Sequence, residues 1–218
     1  MAEIRLFNQD CMTAMKQMPD KAYDLEITDP PYFPEYGKEI SPGAEISTTG
    51  IKRHRFESKH WDVPTNEYFS ELIRVSVNQI IWGYNYYDIH NIGSGRIVWD
   101  KVNDDSSFSK AEIAYCSFHK SVQMFRFMWN GMLQGNMRNK EHRIHPTQKP
   151  VQLYKWLLKN YAKPGNRILD THGGSMSIAI ACHDMGFDLD LYEIDKDYFE
   201  AGKKRLENHQ KQIQMVFS

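Results

Sequence analysis

The sequence predicts an α/β protein built on one mainly parallel sheet of about seven strands, with helices on both faces. Short apolar runs alternate with stretches of helical periodicity. Two of the expected strands run into turns that carry a carboxylate beside proline or glycine. A length of 218 residues favours one domain and suffices to bury a core without metal or disulfide.

The strands are expected at Ile4–Asn8, Tyr23–Thr28, Gln79–Gly83, Arg96–Asp100, Val122–Trp129, Arg167–Asp170 and Leu189–Glu193. Helices are expected at Asn66–Ser76, with Phe69, Leu72, Ile73 and Ser76 on one face, and at Val151–Tyr161, with Val151, Tyr154, Leu157, Leu158 and Tyr161 on one face. A further helical stretch begins at Ser177, and Tyr198–Gln212 reads as a charged, solvated last helix. Parallel sheets of this kind bind ligands at the carboxyl ends of their strands. Residues 33–64, with PEYGKEISPG and the basic run Lys52-Arg53-His54-Arg55, read as a long functional loop. Residues 130–148 are also loop-like.

Composition narrows the function classes. The formal net charge of -1 indicates neither an acidic tail nor a basic coat for nucleic acid, although a local patch suffices to meet a phosphate backbone. Cys11, Cys116 and Cys182 are far apart, odd in number and without a CxxC pair. They argue against a disulfide framework or zinc site, and for a reducing cytoplasm. MAEIRLFNQD lacks the apolar run of a signal peptide, and no stretch approaches the roughly eighteen apolar residues of a membrane span. The nine histidines read as scattered rather than as metal ligands.

Two strand ends carry candidate chemistry. Arg167-Ile-Leu-Asp170 is followed by Thr171-His172-Gly173-Gly174-Ser175 and then a helix. Glycines there let the backbone approach a ligand. Glu193 ends the next strand about twenty positions later, where an acid binds a ribose hydroxyl. A plain strand-turn-helix with Asp195 as N-cap gives the same pattern. The phosphate-cradling GxGxxG and GxxxxGK[ST] patterns are missing, which suits a nucleoside ligand carrying a sulfonium instead of phosphates.

The second strand end is Asp29-Pro30-Pro31-Tyr32. Two prolines stiffen it, and the residue before a proline is held extended. The result is a rigid bracket with a carboxylate, carbonyls without a local donor and an aromatic ring. That set suits methylation of an aromatic amine, whose lone pair is delocalised into its ring. Hydrogen bonds from the amino group to the Asp29 carboxylate and the Pro30 carbonyl favour a tetrahedral nitrogen, and the proton leaves after the N–C bond forms. Tyr32 would stack on the base, worth about 1–3 kcal/mol. A structural turn with Asp29 as a turn residue is the alternative.

With both motifs in hand, the chain resembles the DNA amino-methyltransferases, which modify adenine N6 or cytosine N4. It is similar to the circularly ordered, beta-type subgroup in which DPPY precedes the cofactor motif. Asp29–Tyr32 matches the catalytic motif in full, and Asp170–Ser175 matches the DPFxGxG position. Asn8-Gln9-Asp10-Cys11 resembles the segment that reaches the cofactor adenine. Ile81–Tyr86 and Val98–Lys101 resemble the middle strands, and His145-Pro-Thr-Gln-Lys-Pro150 the segment before the cofactor strand. Thr171-His172 replaces Pro-Phe, and Met176 replaces the last glycine, where its side chain would crowd a cofactor.

The resemblance implies an S-adenosylmethionine-dependent methyltransferase fold with permuted strand order, in one domain over residues 1–218. It implies base flipping from double-stranded DNA. Asp29, Pro30, Pro31 and Tyr32 are the implied catalytic residues, and Asp29 at the first position favours adenine. The implied cofactor site is Asp10, Cys11, Asp29, Thr147, Lys149, Asp170, His172, Gly173, Gly174, Ser175 and Glu193. Thr147 and Lys149 would face the methionine carboxylate, and Glu193 the ribose.

For DNA, the expected contacts are Lys52, Arg53 and Arg55 on the insertion at 33–64, and Arg138, Lys140 and Arg143 in a short recognition region at 130–148. From Leu133 to Lys163 seven basic residues face Glu141 alone, a local charge of about +6. The recognition region is shorter than the family's usual one, so a homodimer or a short recognition site would compensate. The rival readings are an RNA or protein-amide methyltransferase and a non-catalytic nucleic-acid-binding relative. Restriction-modification, phage defence and regulation are all compatible settings.

Overall fold

The computed structural model describes residues 2–34, 59–90, 92–104, 109–130 and 133–217. Its centre is an eight-stranded sheet in the order β1-β10-β9-β2-β3-β5-β4-β6. The strands are β1 (Ile4–Phe7), β2 (Tyr23–Thr28), β3 (Ser76–Trp82), β4 (Arg96–Asp100), β5 (Ala111–Cys116), β6 (Val122–Arg126), β9 (Arg167–Asp170) and β10 (Asp188–Tyr192). A separate ribbon pairs β7 (Trp129–Asn130) with β8 (Leu133–Gln134). The pairings are parallel except those of β5, which is antiparallel to β3 and β4. Strands from the two ends of the chain interleave, with β9 and β10 lying between β1 and β2.

Alternation along the strands sends side chains to two cores. Leu25, Ile27, Ile80, Trp82 and Ile168 pack under α3 (Val151–Tyr161), α4 (Ser177–Met185) and α5 (Lys196–Phe217). Ile81, Leu169 and Tyr192 face the other way, against α1 (Cys11–Met15) and α2 (Asn66–Val75). Helices therefore cover both faces, as the alternation of elements predicts.

The sheet has one strand more than expected. Ala111–Cys116 mixes Glu112 with alanines and lacks the β-branched run that marks a strand, yet it closes the gap between β3 and β4. The single strand expected over Val122–Trp129 is broken. The Phe127 N–H still donates to the Asp100 carbonyl of β4, but the Trp129 indole donates to the Gln148 carbonyl at 2.9 Å, where the chain enters the ribbon. His183 and His209, read as scattered, converge on Asp184 at 3.3 and 2.6 Å. With Lys155 at 2.6 Å they tie α3, α4 and α5 together. No helix among the described residues is long and apolar enough to cross a membrane.

Candidate active site

The carboxyl ends of β1, β10, β9 and β2 lie side by side and open on one cavity of about 410 Å³. Parallel register makes this unavoidable. Leu25 pairs with Ile168 and Glu26 with Leu169, so the turns after Thr28 and Asp170 emerge together. The two motifs expected to share a ligand are thus neighbours. The cavity wall includes Asp10 and Cys11 after β1, Asp29–Tyr32 after β2, Thr171, His172 and Gly174 after β9, and Glu193 after β10. Trp61, Tyr68, His145, Thr147 and Tyr198 complete much of the rest.

Asp29 is held on both oxygens. The Tyr32 hydroxyl donates to Oδ1, and the Lys149 ammonium donates to Oδ2 at 2.5 Å. The Tyr32 ring stacks on Tyr86 at 4.9 Å, and it lies so close to Gly83 that a Cβ there would fall 1.9 Å from the ring. Gly83 also has φ +69°, so this position requires glycine twice over. The Pro30 carbonyl, expected to lack a donor, accepts from the Tyr87 hydroxyl at 2.7 Å. Burial raises the Asp29 carboxyl; the Lys149 charge opposes this and Glu112 adds to it.

Under the glycine turn, three hydroxyls crowd the His172 ring. Its Nδ1 lies 3.1 Å from Thr171 Oγ1, 3.4 Å from Thr28 Oγ1 and 3.4 Å from the Tyr68 hydroxyl. Burial lowers the His172 pKa to about 4 and that of His145 to about 3, so both rings are neutral at physiological pH. Glu26 lies beneath, wholly buried, with its carboxyl well above the usual range because of desolvation and the neighbouring Asp170. The Glu193 carboxylate accepts the Gly174 N–H at 2.7 Å and the Asp195 N–H at 2.8 Å, which fixes it at the cavity wall. Asp195 does cap α5, accepting from Asp197 and Tyr198, while also pairing with Lys59 at 2.7 Å.

Several expectations need correction. Lys149 does not face the cavity; it is buried between Asp29 and Glu112, which leaves no ammonium for a methionine carboxylate. Asp170 also lies behind the wall, where it accepts the His172 N–H at 3.0 Å, and Gly173 and Ser175 do not line the cavity. Met176 crowds nothing there. Its side chain is fully buried toward Gly202 of α5, where a Cβ would meet it at 2.6 Å.

The basic stretch from Leu133 to Lys163 does not form one surface. Lys149 and Lys155 are ion-paired, and Arg143 donates to the Pro146 carbonyl. Lys159 and Lys163 lie at the far end of α3, where the chain returns to the amino end of β9. Arg138 and Lys140 are exposed in the segment leading to His145. Lys52, Arg53 and Arg55 lie outside the described residues. Sequence reasoning missed Lys59, Trp61, Tyr68 and Glu112. Each is far in sequence from the motif it serves, and a KHW tripeptide or a lone glutamate gives no periodic signal.

A family model described as DNA methylase matches residues 52–204. The chain belongs to that family. Among curated DNA methylases it is similar to the type II methyltransferase M.HpaI of Haemophilus parainfluenzae, at 24% identity over 94% of this chain and 74% of that protein. Two solved structures share the fold. The M1.HpyAVI–SAM complex superposes with a TM-score of 0.57 at 18% identity, covering 93% of this chain and 99% of that one. The PvuII DNA methyltransferase, described as cytosine-N4-specific, gives 0.60 at 10% identity, covering 97% and 93%. The architecture of this DNA methylase is therefore that of structurally known DNA methyltransferases.

Proposed function

We propose that this DNA methylase transfers a methyl group from S-adenosylmethionine to the exocyclic amino group of a base flipped out of double-stranded DNA, with adenine N6 as the target. One observation carries the reading: Asp29 of the DPPY bracket and Glu193 of the ribose-type acid motif line a single cavity, at the ends of the two strands that flank β9. The interleaved strand order supports the circularly ordered, beta-type arrangement in which DPPY comes first.

The wall suits a sulfonium nucleoside. Asp10 and Glu193 offer acceptors to hydroxyl and amino groups, and aromatic rings supply flat surfaces. Among the described lining residues there is no lysine or arginine, and the two buried histidines are neutral, so a phosphate would find no counter-charge. When bound, S-adenosylmethionine supplies an electrophilic methyl group. Asp10, Cys11, Thr147, His172, Gly174 and Glu193 would hold it, with Asp170, Gly173 and Ser175 shaping the turn from behind.

The Asp29 bracket orients the amine. A carboxylate offers about four lone-pair sites and a carbonyl two. Tyr32, Lys149 and Tyr87 use some of these and leave others for the amino hydrogens. Because those donors already fix the acceptors, little reorganisation accompanies the developing charge on nitrogen. Tyr32 and the cavity aromatics bound the flipped base.

Around this centre we propose one domain over residues 1–218, with DNA contacts from Lys52, Arg53 and Arg55 on the insertion at 33–64. The region at 130–148, with exposed Arg138 and Lys140, supplies recognition, supported by a short target site or a second copy of the chain. A restriction-modification role is the setting this implies. Cytosine N4 is the second reading, favoured by the structural likeness to the PvuII enzyme. Incubation with duplex DNA and labelled cofactor, then digestion to nucleosides, tests both: N6-methyladenine is expected, N4-methylcytosine replaces the first reading with the second, and no labelled nucleoside overturns both.

A further inference from the structure

The Asp29 carboxylate begins a string of charges that runs away from the cavity. Its Oδ2 meets the Lys149 ammonium at 2.5 Å. The same ammonium meets Glu112 at 2.8 Å and the Tyr32 hydroxyl at 3.2 Å. Glu112 meets Lys101 at 2.5 Å. The four side chains are only 3–20% exposed, and their charges alternate so that the string is neutral. Its links come from separate elements: the turn after β2, the segment before α3, the middle of the sheet at β5, and the end of β4. Asp29 lines the cavity, whereas Lys149, Glu112 and Lys101 do not.

We propose that Lys149 is a positioning residue for Asp29, its ammonium shared with Glu112 and through it with Lys101, so that it fixes both the plane and the charge of the carboxylate that receives the substrate amine. The inference rests on Asp29 being that acceptor. Lys149 occupies one carboxylate oxygen and Tyr32 the other, so the carboxylate cannot swing. Among the described residues, the charged and titratable groups facing Asp29 are Lys149, Glu112 and Tyr32, with Tyr87, Tyr154 and Asp170 beyond them. Lys149 is the one cation in that set. Without it, desolvation and the acids would raise Asp29 further toward its protonated form, which presents a donor where the amine needs an acceptor. Glu112 acts in the opposite sense: it pushes Asp29 up directly and draws on the same ammonium.

This opposition gives a test that general damage to the fold would not reproduce. The protein is labelled with carboxyl-¹³C aspartate, and the Asp29 resonance is identified by its loss in Asp29→Asn. Its titration is then followed by NMR in wild type, Lys149→Met and Glu112→Gln. We expect Asp29 to titrate at higher pH in Lys149→Met and at lower pH in Glu112→Gln. If Lys149→Met does not fold, Lys149→Gln is titrated in its place, with the same upward shift expected. An unmoved titration in Glu112→Gln, or movement of both variants in the same direction, overturns the proposal.

In turnover, Lys149→Met should lose about 10²-fold or more in single-turnover rate with cofactor affinity unchanged, part of it recovered in Lys149→Arg. Loss of cofactor affinity with an unchanged rate at saturation would instead place Lys149 on the cofactor and overturn the proposal. The carboxyl titration needs no turnover. A wild type that methylates no DNA therefore counts against the methyltransferase reading, whereas the titration judges the role of Lys149.

Discussion

At the scale of single residues, Asp29 has more partners than a strand-end loop residue needs. The DPPY tetrapeptide announces the carboxylate and its rigidity, but Tyr32 and Lys149, which hold it, are visible only in three dimensions. The sequence suggests that Tyr32→Phe is mild, because stacking survives, and that Tyr32→Ala is severe. The structure changes that expectation: the hydroxyl donates to Asp29, so Tyr32→Phe should slow methyl transfer by about tenfold, the kinetic equivalent of one net hydrogen bond. A rate equal to wild type in a single-turnover assay would remove the hydroxyl from the mechanism. Glu193→Gln keeps the shape and a carbonyl acceptor while removing the charge. It should weaken cofactor binding by about 1.5–3 kcal/mol in calorimetry, and an unchanged affinity would refute a ribose contact.

At the scale of elements, the legible ones are those whose local signal agrees with their place in the fold. Tyr23–Thr28, Arg96–Asp100 and Arg167–Asp170 carry apolar residues at alternate or consecutive positions, have sharp stops and fall where the sequence places them. β5 was illegible because AEIAYC has two alanines and a single β-branched residue, while its Glu112 is neutralised by Lys101 and Lys149 from elsewhere in the chain. α1 was missed because five residues carry no period; Asp10 defines it by accepting the Thr13 N–H at 2.7 Å. Met176 shows the converse limit. Its place in the cofactor motif suggests contact with the ligand, but a φ of +55° turns its side chain into the core beside α5. Met176→Ala should therefore cost about 2–5 kcal/mol of stability and leave cofactor affinity unchanged. Chemical denaturation and calorimetry on the same sample check both halves.

At the scale of the whole molecule, the carboxyl-end cavity leaves its mark on stability. Burial raises Asp170 from 3.8 to about 8, with Asp29 and Glu193 adding to the rise against the His172 N–H. A raised acid favours the folded state below its unfolded pKa, and that stability is lost as pH climbs through the folded value. His145 and His172 act oppositely, losing stability as pH falls below about 6.5, so the two effects overlap in acid. Between pH 6.5 and 8 Asp170 stands alone among these three. Stability should decline across that window by up to about 1.4 kcal/mol per pH unit, and Asp170→Asn should flatten the decline. Urea midpoints at the two pH values decide it.

Binding to DNA is a whole-surface property in the same way. Replacing Lys52, Arg53 and Arg55 with alanine should lower DNA affinity and reduce the salt slope by up to about 0.9 per lost phosphate contact. An unchanged slope would assign those residues elsewhere.

The central claim is that Asp29 receives the amine of a DNA base. Its most direct test is nucleoside-resolved methyl transfer under single turnover, comparing wild type with Asp29→Ala and Asp29→Asn at saturating cofactor. Asp29→Ala should lose at least about 10²–10³ in rate, and Asp29→Asn somewhat less, since it keeps one carbonyl acceptor. Removing the carboxylate also leaves Lys149 with Glu112 and the Tyr32 hydroxyl only, so a stability loss of about 1–3 kcal/mol should accompany it, and folding must be checked at the assay temperature. Near-normal turnover by folded Asp29→Ala would contradict the account.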